Sequence, residues 1–436
     1  MKGANVVTEL SETNAGGEAT PDTAGPLGAS NKERIGSLDF IRGIAVMGIL
    51  WANIVAFGQP ESAYFWPGGF LSGDGDPSGV LWLVQLVLID GKMRGLFTLL
   101  FGAGMYLFME KAWARGAGRA LQARRLFWLM LFGTIHFYFI WHGDILMSYA
   151  FVGFIGLACL KWARRTQMII GLLGYISGAI LLLPVMALPY FIAETPLGES
   201  AVYADMREGM MTQKAADLAE GQEVADLRIE GSYADFVAYN FTENLTDPLF
   251  YFFLALLETL PLMLIGMALY RTGLFDGGIP RSKLLKWGWA GVIVGSLLTA
   301  AVGWWAISEG LGYYASLAAF FGFSPLPRLP VTLGLAALLV AYAPRADSAI
   351  GSRITAAGRM AFSNYLGTSI LMLFVFHGWA LGLFGQLGRS TLFLVVVATW
   401  AIMLLWSKPW LERFRYGPLE WLWRCLTYGR LFPIRR

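Results

Sequence analysis

The sequence predicts an all-α, polytopic integral membrane protein with about ten transmembrane helices and both termini in the cytoplasm. Three observations carry that reading. The 436-residue chain is 56% hydrophobic and only 14% charged, with 17 Trp and 30 Phe. Its apolar residues fall in repeated runs close to the roughly 20 residues that a helix needs to cross the hydrocarbon layer. Its Lys and Arg are one-sided: with the N-terminus inside, twenty-five fall on cytoplasmic segments and seven on the opposite side, the bias that orients helical membrane proteins.

In chain order, residues 1–33 are rich in Gly, Ala, Thr and Glu without an apolar run. They read as a disordered cytoplasmic tail and not as a signal peptide. Residues 34–407 form the transmembrane domain. Its first span, Arg34 to Gln59, leads into an irregular Gly/Pro/aromatic loop, Pro60 to Gly79. Val80 to Ile89 is too short to cross and is expected to be an interfacial or re-entrant helix before the second span, 95–110. Further spans are expected at 125–141, 144–161, 168–192, 248–270, 286–308, 329–344, 360–384 and 390–407. The acidic stretch 194–247 is an extracytoplasmic insert with helical patterning in its middle, either a cap on the outer face or a solvated spacer. Residues 408–436 mix Trp with Arg, which fits an amphipathic helix on the inner leaflet or a basic orientation anchor.

The most informative polar residues lie inside apolar runs, where ionisable groups are costly and tend to face a protein interior. Asp39 and Arg42 are three residues apart on one helix face. Asn53 returns to nearly the same angle about 16 Å further along the axis, so a polar stripe runs through the first span. In GTIHFYFIWHGDILMSYAFVG, His136 lies roughly 16 Å beyond Arg125, deep in its span. His142-Gly143-Asp144 makes a turn, and Asp144 is a candidate cap for the following helix. That turn brings Asp144 and Tyr149 back towards His136. An imidazole whose tautomer is fixed by a nearby acceptor is the usual make-up of a general base at neutral pH. Asn364 faces either a cavity or a helix neighbour. Lys92 and Arg94 flank the re-entrant turn, where they bind an anionic head group or snorkel to the interface. His377 is expected to be structural.

Two distant cysteines, Cys159 and Cys425, and three histidines without HxxxH or CxxC spacing give no metal-ligand pattern and no disulfide framework. The formal charge of +3 gives no reason to expect a nucleic-acid partner.

Six blocks carry a resemblance: RIGSLDFIRGIAVMGILWANI, DGKMRGLFTLLFGAG, the His136 block, PLMLIGMALYRTGLF, GRMAFSNYLGTSIL with WALGLFGQLGR, and FRYGPLEWLWRCLTYG. In this order they resemble the YeiB-like bacterial family, the domain-of-unknown-function family 418, with Ala380 where a Gly is common. The LDxxRGxA pattern of the first helix is similar to that of the wider transmembrane acyltransferase superfamily. The resemblance implies a bacterial inner-membrane protein moving an acyl group from cytoplasmic acyl-CoA, such as acetyl-CoA, to a glycan, small-molecule or lipid acceptor. It carries over onto Asp39, Arg42, Gly43, His136, Gly143 and Asp144. In that scheme His136 is the base or is transiently acylated, Asp144 orients it, and Arg42 or Asn53 stabilises the oxyanion. Asp39, Asn53, Lys92, Arg94, Tyr149 and Asn364 bind substrate. Membrane lipids and an oligomeric partner fit the same expectation. The competing expectation is a proton-coupled transporter or lipid translocator using the same stripe, although no internal repeat supports it. A third is a non-catalytic envelope scaffold or sensor working through the insert.

Overall fold

The computed structural model describes residues 36–72, 76, 78–343 and 348–436; the expected tail, 1–33, lies outside them. Among the described residues the fold is all-helical, with a single isolated bridge between Phe414 and Arg435. The α-helices are α1 (Gly36–Gly58), α2 (Ser62–Phe65), α3 (Val80–Leu88), α4 (Lys92–Ala114), α5 (Arg119–Phe139), α6 (Leu146–Cys159) and α7 (Arg164–Ala193). The insert gives α8 (Ala204–Glu230) and α9 (Tyr233–Thr242), followed by α10 (Asp247–Leu257), α11 (Thr259–Arg271) and α12 (Arg281–Ser308). Then come α13 (Tyr313–Leu317), a π-helical turn (Ala318–Phe323), α14 (Pro325–Tyr342), α15 (Ala349–Arg359), α16 (Ala361–Phe376), α17 (Arg389–Arg413) and α18 (Pro418–Tyr428).

Five helices, α1, α7, α12, α14 and α17, are long and apolar enough to cross a membrane. Two bent pairs, α10 with α11 (43°) and α15 with α16 (84°), bring the candidates to seven. The expectation of ten is met to that extent. α4 and α5 have the length, but groups such as Arg94, Glu110, Arg124 and Arg125 dilute their apolar runs, and α6 has only 14 residues. The first helix is central: 67% of its apolar stretch is buried inside the protein, against 22% for α7 and for α12.

Interrupted helices are the recurring device. Each interruption strands backbone N–H and C=O groups that an apolar surrounding cannot satisfy, and side chains answer them. Between α3 and α4 the chain turns at Gly91 (φ 73°), and Lys92 Nζ donates back to the Leu86 carbonyl. At the α15/α16 bend, Glu420 accepts from Phe362 N (2.8 Å) and Ser363 N (3.1 Å). Glu194 accepts from Tyr314 N and Ala315 N at the start of α13 (both 2.9 Å), and Asp76 accepts from Trp82 N in α3 (2.7 Å).

The insert is tied into the bundle. Asn240 donates to the Tyr138 carbonyl (3.0 Å) and Tyr233 to the Phe139 carbonyl (2.9 Å), covering the C-terminal end of α5. Arg228 donates to the Ala56 carbonyl (3.3 Å) at the end of α1. The C-terminal helix is also a structural part of the bundle, since Trp423 Nε1 donates to the Arg125 carbonyl (2.9 Å).

Helices close on small residues, as expected where lipid tails compete for apolar contact. A Cβ on Gly266 would collide with the Leu99 carbonyl, and one on Gly102 with the Met263 carbonyl, so α4 and α11 touch backbone to backbone. Gly43 and Gly358 make the same kind of contact between α1 and α15. Gly266→Val is therefore expected to part α4 from α11 and cost at least about 1–3 kcal/mol, read as a lowered midpoint of heat unfolding in detergent. Gly367→Ala, with nothing within 4 Å of its Cβ, should leave that midpoint unchanged or slightly raised.

Candidate functional site

Two cavities lie at opposite ends of α1, α4 and α5. The proximal cavity, of about 210 Å³, is lined by Arg42 near the start of α1, Phe108 late in α4 and Arg125 early in α5. Arg359, Phe362, Tyr365, Glu420, Trp423, Arg424 and Tyr428 complete much of its wall. The distal cavity, of about 300 Å³, is lined by Asn53 late in α1, Arg94 early in α4, and His142, Gly143 and Asp144 beyond α5. It also meets Glu61, Tyr64, Ser148, Tyr175, Tyr251, Glu258 and Arg328. Tyr149 lines both cavities. Its hydroxyl lies 2.8 Å from that of Thr98 and donates to the Arg94 carbonyl (3.3 Å), and its ring stacks on Phe97.

His136 itself lines neither cavity but lies beside lining residues of both. It lies one turn from the end of α5 and is wholly buried. Its ring centroid is 5.2 Å from that of Tyr365, a proximal-cavity residue, and 6.3 Å from that of Trp141, a distal-cavity residue. Nδ1 is 2.8 Å from Asp144 Oδ1. An ionised carboxylate can only accept, so Nδ1 carries the proton and a neutral ring keeps its lone pair on Nε2. Nε2 has no hydrogen-bond partner among the described residues. The second Asp144 oxygen accepts from Met147 N (2.7 Å), so one carboxylate both caps α6 and sets the imidazole.

The other residues singled out by sequence divide between the chambers. Arg42, bound to Asp39 (2.8 Å) and 29% exposed at its side chain, serves the proximal cavity, whereas Asn53 serves the distal one. The polar stripe on α1 is thus split between the two chambers. Arg94 pairs with Glu258 (2.6 Å); their side chains are 46% and 25% exposed although the pair lies within the bundle, because both face the distal cavity. Lys92 is fully buried, holding the α3/α4 turn. Asn364 is buried between helices, donating to the Ala357 carbonyl (3.0 Å) and Ser407 (3.2 Å) and accepting from Trp406 (2.9 Å). Neither Lys92 nor Asn364 lines either cavity.

Several site groups escaped the sequence reading. Glu258 and Arg328 sit in apolar runs and carried the same signal as Arg42, an ionisable group where it is costly. Arg125 lies over the rings of Phe108 (4.8 Å) and Trp423 (4.3 Å), a grouping of α4, α5 and α18 that no local pattern announces. Glu61, 3.6 Å from His142, lies at the distal mouth, outside the apolar helices. The neighbouring imidazole holds its carboxyl below the usual carboxylate range. Among the described residues no group of three or more His, Cys, Asp or Glu is placed to hold a metal, and both cysteines are free and buried.

Fold and site together define an all-helical protein with several candidate membrane spans and a buried His–carboxylate pair beside two chambers. The chain belongs to the DUF418 family of proteins of unknown function. Residues 269–430 match the model for "Protein of unknown function (DUF418)". The chain is 31% identical over 413 residues to the uncharacterised protein YxaH of Bacillus subtilis (strain 168), covering 93% of this chain and 96% of that protein. It is 30% identical over 432 residues to the uncharacterised protein YeiB of Escherichia coli (strain K12), covering 92% and 98%. No solved structure matches it.

If the His136–Asp144 bond is a charge-assisted one, removing either partner should remove most of the benefit of the other. Asp144→Asn and His136→Gln are expected to be non-additive in detergent unfolding, with a coupling of about 1.5–3 kcal/mol.

Proposed function

We propose that this protein transfers an acyl group past His136, from an acyl-CoA whose acyl end enters the proximal cavity to a hydroxyl held in the distal one. The observation supporting this most directly is that a buried His–Asp pair with an unpartnered Nε2 lies beside two chambers that share one wall residue, Tyr149. The reading places the chain within the transmembrane acyltransferase superfamily. Its topology is ten crossings of a bacterial inner membrane with both termini cytoplasmic, made by α1, α4, α5, α6, α7, α10 with α11, α12, α14, α16 and α17. The proximal cavity then opens to the cytoplasm and the distal cavity to the other side.

Arg42, Arg125, Arg359 and Arg424 give the proximal cavity a cationic lining suited to the phosphates of the donor. The thioester carbonyl comes to lie beside Tyr365 and His136. Nε2 takes the proton from the acceptor hydroxyl as its oxygen attacks that carbonyl. The Tyr365 hydroxyl, which accepts from Ile145 N (3.3 Å) and keeps its own proton to donate, stabilises the oxyanion. Collapse breaks the C–S bond, and the imidazolium returns the proton to the departing thiolate. Asn53 and Ser148 hold the acceptor.

A transporter is the second reading, and the cavity-facing Arg94–Glu258 pair at the α10/α11 bend favours it, since broken helices and intramembrane charges build such sites. Purified protein in detergent separates the two: transfer consumes acyl-CoA without any gradient, and transport does not. With radiolabelled acetyl-CoA, wild-type membranes are expected to label a lipid or glycan fraction, and His136→Ala to lower that label about 10²–10⁴-fold while remaining folded. Undiminished label with His136→Ala rules the mechanism out.

A further inference from the structure

The distal cavity mixes a few polar groups with a larger number of hydrocarbon ones. Beside Asn53, Asp144, Ser148 and the Arg94–Glu258 pair it is lined by Leu182 and Met186 of α7, Leu254 and Leu257 of α10, and Phe320 and Phe321 of the π-helical turn. A freely soluble saccharide would leave hydroxyls unpaired against those aliphatic and aromatic side chains. At about 300 Å³ the chamber lies at the small end of ligand sites. It takes a head group and a few methylenes but not the chains of a lipid.

The part of the wall made by α7 and α10 is thin. Leu182 and Met186 line the cavity, whereas Leu181 (53% exposed) and Val185 (59%) on the same helix face outwards; Phe250 (56%) and Phe253 (49%) do the same on α10. One layer of helix therefore separates the chamber from whatever surrounds the bundle. That layer is irregular. Pro184 and Pro189 lie within α7 and deprive the Ile180 and Val185 carbonyls of their helical donors. The segment they bracket packs on the π-helical turn, where a Cβ on Gly322 would lie 3.4 Å from the Met186 Cβ.

We propose that the distal cavity takes the hydroxyl-bearing head group of a membrane lipid, admitted sideways through the seam between residues 184–189 of α7 and the turn at 318–323, with its chains left in the bilayer. This deepens the acyl-transfer reading by naming the class of acceptor. Its test reads binding alone, so it can fail while transfer stands, and the reverse.

The seam can be locked. The 3.4 Å approach is close to the Cβ separation of natural disulfides, so Met186→Cys with Gly322→Cys should cross-link on oxidation. The protein in phosphatidylglycerol nanodiscs is irradiated with a phosphatidylglycerol carrying a diazirine on its head-group glycerol, and labelled residues are mapped by mass spectrometry. Reduced protein should be labelled at cavity residues of α7, α10 and the turn. Oxidation should lower that label at least tenfold, leave outward-facing Leu181 and Val185 unchanged, and be reversed by reductant. Leu182→Trp, which fills the chamber without bridging the seam, should lower it in the same way and covers the case in which the double variant fails to fold. Cavity label that persists in the cross-linked protein overturns the proposal. So does label absent from the reduced protein, or equal label of both forms by a water-soluble diazirine-bearing glycerol in place of the lipid.

Discussion

A stranded backbone group in an apolar surrounding is the constraint on which this structure depends. The bundle contains many interruptions: α3 stops before α4, α5 stops before α6, α10 bends into α11 and α15 into α16. At three of them a side chain meets the exposed amide or carbonyl: Lys92 between α3 and α4, Asp144 before α6 and Glu420 at α16. Two of these side chains also build the site. Asp144 caps α6 and sets His136; Glu420 caps α16 and lines the proximal cavity. Arg94 meets Glu258, the residue at the α10/α11 bend, and the pair faces the distal cavity. Cavities and caps are one feature, because a helix that stops early leaves space beyond its end.

Much of the fold could be read from the sequence because long apolar runs and Gly spacing are local signals. The helices begin and end close to where the runs do: the span expected at 248–270 is α10 with α11, and that expected at 390–407 lies within α17. The bends were not legible. Glu258 interrupts an otherwise continuous apolar run, and a 43° bend there leaves no mark on hydropathy. The six blocks of resemblance named the family correctly, while the superfamily and its activity remain part of the proposal.

The site was legible in its parts and not in its division. His136, Asp144 and Tyr149 lie within fourteen residues of one another, and helical geometry is enough to bring them together. Arg42 and Asn53 share a helix face, so sequence assigns them to one stripe. The structure sends them to different chambers, which have Tyr149, from another helix, as their shared wall residue. The contribution of α18 was equally hidden. Its Trp and Arg pattern fits a surface helix, yet Trp423 reaches Arg125 and Glu420 reaches α16 only through tertiary packing. Asn364 looks like a cavity residue by type and is a helix-packing residue by position, its amide satisfied on both ends.

The central claim is that donor and acceptor meet at His136 from opposite sides of the membrane. Sidedness tests it most directly. Sealed vesicles of each orientation, carrying wild-type protein, are given radiolabelled acetyl-CoA in the external medium only, and label is followed into the lipid and glycan fractions. The account predicts label in inverted vesicles, where the termini and the proximal cavity face the medium, and none in right-side-out vesicles until they are permeabilised. Label formed from right-side-out vesicles while they remain sealed would contradict it.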